Sequence, residues 1–142
     1  MRLLGIDYGD ARTGVAASDP TGRIASEVDV IRSHDPGYTA DRIAEHAERL
    51  RAERLVLGHP LNMDGSAGPR SEKTRVFANL LHQKTGLPVE LWDERRTTVS
   101  ADQLLREAGL RGAKKKGRLD SVAAVIILQN YLDYLKNRDE NR

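Results

Sequence analysis

The chain has 142 residues, within the ~100–200 typical of one domain, so a single domain over 1–142 is expected. It contains no Cys, which excludes disulfides, thiolate metal sites and cysteine nucleophiles. Lys plus Arg number 23 and Asp plus Glu 21, a net charge of +2 that excludes a uniformly cationic surface.

The charge is unevenly spread. Residues 92–118 hold eight cations and four anions, which puts this window at +4 and the remainder at −2. The longest apolar run, Val122 to Leu128, spans seven residues, far short of the ~20 a membrane helix needs. The N-terminus turns charged at Asp7 and lacks the apolar stretch of a signal peptide. A cytoplasmic protein with no membrane partner is expected.

In chain order, Arg2 to Asp7 is a short apolar run ending on a carboxylate, and Thr13 to Ala17 is a second. Gly9-Asp10 between them is turn chemistry and predicts a β-hairpin. Arg23 to Ile31 reads as a third strand, with Ile24, Val28 and Val30 as its apolar residues. Pro36-Gly37 reads as a break, and Ile43, Ala44, Ala47 and Leu50 predict a helix over 39–52. Leu55 to Leu57 suits a strand buried on both faces.

His59 to Pro69 is rich in Gly, Pro, Asn and Asp and reads as a loop, with His59 at its surface. Val76, Phe77, Leu80 and Leu81 form a helix stripe that Gly86 would cap. Pro88 to Trp92 reads as a strand. A helix then starts near Thr97 or Thr98 and stops at Gly109. Gly112 to Gly117 reads as a basic loop, and a last helix covers 118–135 before a fraying charged tail. The order implies an α/β fold: a mixed five-stranded sheet, its first three strands antiparallel, with helices on both faces.

Three carboxylates could meet in this arrangement. Asp7 closes the first strand and Glu94 follows the last, and in open α/β sheets the functional crevice lies at the carboxyl ends of strands. Asp120 precedes Ala124, Ile127 and Tyr131 by four, seven and eleven residues and shares their apolar face. Converging carboxylates repel one another. A hard divalent cation such as Mg²⁺ or Mn²⁺ removes that conflict, and a pair of ions could serve phosphodiester hydrolysis. The basic segment would hold a polyanion. Each residue also has a plainer role: Asp7 as a turn residue, Asp120 as a helix-dipole partner, Glu94 in an ion pair, and Lys114 to Arg118 as a solvated charge run.

Four blocks resemble the YqgF/RuvX family of RNase H-like nucleases, described as Holliday junction resolvase-like and as processing the 5′ end of pre-16S rRNA. They are Gly5-Ile6-Asp7-Tyr8-Gly9 through Ala16, Gly58-His59-Pro60 through Ser66, Asp93-Glu94-Arg95-Arg96-Thr97-Thr98, and Asp120-Ser121-Val122-Ala123-Ala124 through Leu132. The resemblance implies an RNase H-like fold and a metal-dependent endonuclease, with Asp7, Glu94 and Asp120 as catalytic and metal-binding carboxylates. It places Arg12 and Arg95 in the phosphate-binding surroundings, beside the basic segment Lys114, Lys115, Lys116 and Arg118. The implied partners are structured RNA such as pre-16S rRNA, branched DNA, the pre-ribosomal small subunit, and a second copy in a homodimer. Ala123 stands where resolvases of this fold usually carry a fourth carboxylate.

Two other readings compete. A nucleotide-phosphate binder of the actin/sugar-kinase type also reads Asp-x-Gly after its first strand, but needs two such domains. A non-catalytic RNA- or ribosome-binding module would leave the carboxylates structural.

Overall fold

The computed structural model describes residues 1–62, 64–96 and 114–140, with side chains over 122–138 of the last segment. Strands β1 (Leu3–Asp7), β2 (Arg12–Ser18) and β3 (Ala25–Arg32) lead into helix α1 (Pro36–Leu50). Strand β4 (Arg54–His59), helix α2 (Pro69–Thr85) and strand β5 (Val89–Asp93) follow. A single 3₁₀ turn, Glu94–Arg96, ends β5, and helix α3 runs over Lys114–Glu140.

The five strands form one sheet in the order β3-β2-β1-β4-β5. β1 pairs antiparallel with β2, and β2 antiparallel with β3. β4 pairs parallel with β1 and with β5. The carboxyl ends of β1, β4 and β5 therefore lie at one edge of the sheet. The tight β1–β2 turn needs a glycine, because a Cβ at Gly9 would stand 2.4 Å from the carbonyl oxygen of Arg12.

Side-chain alternation divides the core into two layers. Leu4, Ile6, Leu55 and Leu57 pack with Ile43 and Ala47 of α1 and Phe77 and Leu81 of α2. Their chain neighbours Leu3 and Val56, with Ala16 and Trp92, pack with Ala124, Ile127, Leu128 and Tyr131 of α3. Helices thus cover both faces, as the sequence predicts.

Several predicted boundaries move. β3 starts at Ala25, which leaves Ile24 outside the strand and 66 % exposed. Pro36-Gly37 does not break the chain but opens α1: Asp35 caps it by accepting a hydrogen bond from the Gly37 N–H at 3.0 Å, and Pro36 occupies the first turn. β4 runs on through His59, so that residue is buried, not at a loop surface. Pro69 belongs to α2. Val76 is 66 % exposed and lies outside the buried stripe, which runs through Ser71, Thr74, Phe77 and Leu81. Gly86 caps α2 in the left-handed region, φ 70°, as expected. The predicted helix near 97–109 lies outside the described residues. The basic tract from Lys114 is helical, not a loop, and the helix continues to Glu140.

Candidate active site

Asp7 ends β1 on the face covered by α3, two residues beyond Gly5 and four beyond Leu3. Its register partner on β2 is Gly14, so Arg12, two residues earlier, falls on the same face. Across β4, the next position in that row is Gly58, which pairs with Trp92 of β5. Glu94 follows two residues after Trp92, in the 3₁₀ turn, and folds back over Gly58. A Cβ at Gly58 would stand 3.3 Å from both Cδ and Oε1 of Glu94, and 2.6 Å from Cδ1 of Ile127. The missing side chain is what lets the glutamate cross β4 toward Asp7.

The electrostatics agree with that approach. The Glu94 carboxyl is pushed above the usual range, first by burial and then by the Asp7 charge, with Arg70 pulling the other way. Arg70 lies in the first turn of α2, at the carboxyl edge of the sheet. Pro69 was the available signal for it, since Pro favours the first helical position.

Helix α3 supplies the roof. Tyr131 accepts a hydrogen bond from Arg54 at 2.8 Å and donates one to Glu90 at 2.6 Å, near the amino ends of β4 and β5. Ile127 lies over Gly58, and Ala124 and Leu128 lie over Gly5. The helix therefore runs against β1 and β4. Position 120, one turn before Ala124 on the same face, falls at the Asp7 end.

Asp93 and Arg95 go elsewhere. Asp93 falls on the opposite side from Trp92 and Glu94. Arg95 donates to it through Nε (3.0 Å) and Nη2 (2.6 Å), and its own backbone N–H donates to the same carboxylate at 3.0 Å. This fork holds Asp93 below the usual carboxylate range. The Arg95 guanidinium also packs under the 60–68 loop at Gly65, which has φ 89° and where a Cβ would stand 3.2 Å from Nη1. On this side His59, 7 % exposed, hydrogen-bonds Ser71 at 2.6 Å. Burial, then Arg75, lowers its pKa, against a smaller opposing effect of Asp93.

The structure thus brings Asp7, Glu94 and Arg12 to one face and gives Arg95 a different neighbourhood. Lys114, Lys115, Lys116 and Arg118 occupy the first turns of α3; their side chains, like that of Asp120, lie outside the described residues. Among the described residues no three His, Asp or Glu side chains gather as a metal cage. The Asp7–Glu94 pair nevertheless fits a hard divalent cation: both are oxygen donors, and Glu94 is half-buried in the field of a like charge that a cation would neutralise.

A family model described as "RuvX: Holliday junction resolvase" matches residues 1–134. A protein of Halothermothrix orenii named "Putative pre-16S rRNA nuclease" is 46 % identical over 134 residues, covering 94 % of this chain and 96 % of its own. One of the same name from Pelotomaculum thermopropionicum is 47 % identical over 134 residues, covering 94 % and 87 %. Among solved structures, RuvC of Thermus thermophilus superposes with a TM-score of 0.67 at 14 % identity, covering 97 % of each chain. The fowlpox virus Holliday junction resolvase gives 0.56 at 17 % identity, covering 94 % of this chain and 99 % of its own. These structures share the RNase H-like fold.

Proposed function

This chain belongs to the RuvX family, and we propose that it cleaves nucleic-acid phosphodiester bonds with divalent metal held by Asp7, Glu94 and Asp120. It is a nuclease, a hydrolase of ester bonds, in keeping with the family description and the name its relatives carry. The site assignment is supported above all by one observation: Glu94 crosses the bare backbone of Gly58 into the field of Asp7.

Each residue then has a task. Asp7 and Glu94 hold the metal from two strand ends separated only by β4, and Asp120 closes the set from the roof helix. When bound, the metal polarises a phosphate oxygen and lowers the pKa of a water, with two ions able to serve attacking and leaving oxygens. The partial burial of Glu94 reduces the screening of its charge by bulk water. Arg12, exposed on the same face, grips a phosphate of the strand.

The proposed substrates are the 5′ end of pre-16S rRNA and Holliday junction DNA, with Mg²⁺ or Mn²⁺ as the metal. The pre-ribosomal small subunit and a second copy of the chain are proposed partners, because two symmetric cuts in a junction call for two sites. Cytoplasmic action is part of this reading. No helix among the described residues is long and apolar enough to cross a membrane.

The test compares wild type, Asp7→Asn and Glu94→Gln on pre-16S rRNA and on a four-way junction, with Mn²⁺ and with chelator. Wild type should cut only with metal. Both variants should fold and fail to cut. A folded Asp7→Asn protein with full activity would sink the assignment.

A further inference from the structure

The resemblance singles out Arg95, but the geometry points to its neighbour. Arg95 is engaged by Asp93. Arg96 instead inserts between two aromatic rings: its guanidinium carbon lies 4.5 Å from the centroid of Trp92 and 4.5 Å from that of Tyr134. Those rings are tilted by 55° with centroids 5.5 Å apart, which makes a notch for the cation. Arg138, one turn further along α3, approaches the same Tyr134 ring at 5.8 Å. All three distances fall within the ~6 Å over which a ring face attracts a cation.

Among the described residues neither Arg96 nor Arg138 has a carboxylate partner, whereas Arg42, Arg54 and Arg95 each have one. Trp92 is 4 % exposed, so the guanidinium meets a ring held in place by the core. A stacked guanidinium keeps its N–H edge for an outside acceptor, in a plane already fixed. Planar, pre-set donors of this kind suit the paired oxygens of a phosphate.

We propose that Arg96 and Arg138, flanking Tyr134, form a phosphate track that holds the substrate strand beyond the cleavage site. This rests on the nuclease reading above and extends it. Arg96 is two residues from Glu94, so the track begins at the margin of the site and follows β5 and α3 away from it. Both arginines share one ring, which places them for neighbouring phosphates of a single strand. The occupant is a phosphodiester backbone, not a base, because the Tyr134 ring is engaged by the two cations.

The experiment measures binding of a fluorescent single-stranded RNA and of a four-way DNA junction to the full chain, with chelator to prevent cutting, across a salt series. The proteins are wild type, Arg96→Ala, Arg138→Ala, the double variant and Tyr134→Leu, each checked for its unfolding midpoint. On the single strand, the slope of log affinity against log salt should fall by about 0.7 for each arginine removed. Tyr134→Leu should weaken binding with no charge removed. Wild-type binding with unchanged slope and affinity in the double variant would overturn the track and leave the nuclease reading standing. Absence of wild-type binding to either probe would overturn both.

Discussion

Gly58 shows how a residue without a side chain can organise a site. Its place in β4 puts it between Asp7 and Trp92, and Glu94 and Ile127 fill the space above it. Gly58→Ala should therefore displace both. Overpacking of this kind costs about 1–3 kcal/mol, and activity should fall further than stability because the carboxylate is the part that must move. Urea unfolding alongside a cleavage assay checks this; wild-type activity would mean that Glu94 can act from another position. His59 gives a pH prediction. Its folded-state pKa is lowered, by burial first and then by Arg75, so as pH falls below about 6.5 the unfolded chain takes a proton that the folded chain resists. Stability should fall through that window and level off below the folded pKa. His59→Gln should flatten the profile between pH 7.5 and 5.5 in denaturant titrations, and an unchanged slope would remove His59 as its source. Asp7 and Glu94 were legible as strand-end carboxylates. The work of Gly58 was not, because it depends on what crosses the strand.

Among the elements, α3 is legible in the sequence through its middle but not at its start. Ala124, Ile127 and Tyr131 recur at helical spacing because all three pack on the sheet, and that rhythm survives in the sequence. Nothing comparable marks Lys114, whose neighbours Gly112 and Gly117 suggested a loop. The start of α1 is obscured for a related reason: Pro36-Gly37 looks like a break unless Asp35 is recognised as a cap. The seating of α3 hangs on Gly5, where a Cβ would stand 2.5 Å from the Leu128 Cβ and 2.9 Å from the Ala124 carbonyl oxygen. The second of these is helix backbone and cannot swing aside. Gly5→Ala should lift the whole helix off β1, at a cost at or above the ~1–3 kcal/mol of overpacking. Position 120 would move with it, so cleavage should drop even where the protein remains folded. Unfolding midpoints and cleavage rates check this together, and a fully stable Gly5→Ala protein would show that the contact relaxes cheaply.

For the whole molecule, the net charge of +2 conceals an opposition between stability and binding. The eight cations of residues 92–118 all lie between Glu94 and Asp120, two of the proposed metal ligands, so acidic site and basic rim offset each other in the total. Three of those cations, Lys114, Lys115 and Lys116, open α3, and no acidic residue offsets them in its first turn. The amino end of a helix carries partial positive charge, and a cation there is unfavourable by about 0.3–1 kcal/mol at low salt. A fold selected for stability alone would favour carboxylates in these positions. Replacing all three lysines by Ala should accordingly leave the unfolding midpoint unchanged or raise it, because the repulsion is removed and alanine favours helix. The same change should weaken nucleic-acid binding and reduce its salt dependence by about one unit of slope per lost phosphate contact. The two effects have opposite signs, which separates this outcome from general damage to the fold. If the triple variant binds RNA and junction DNA like wild type at every salt concentration, the lysines belong to the helix and not to the substrate.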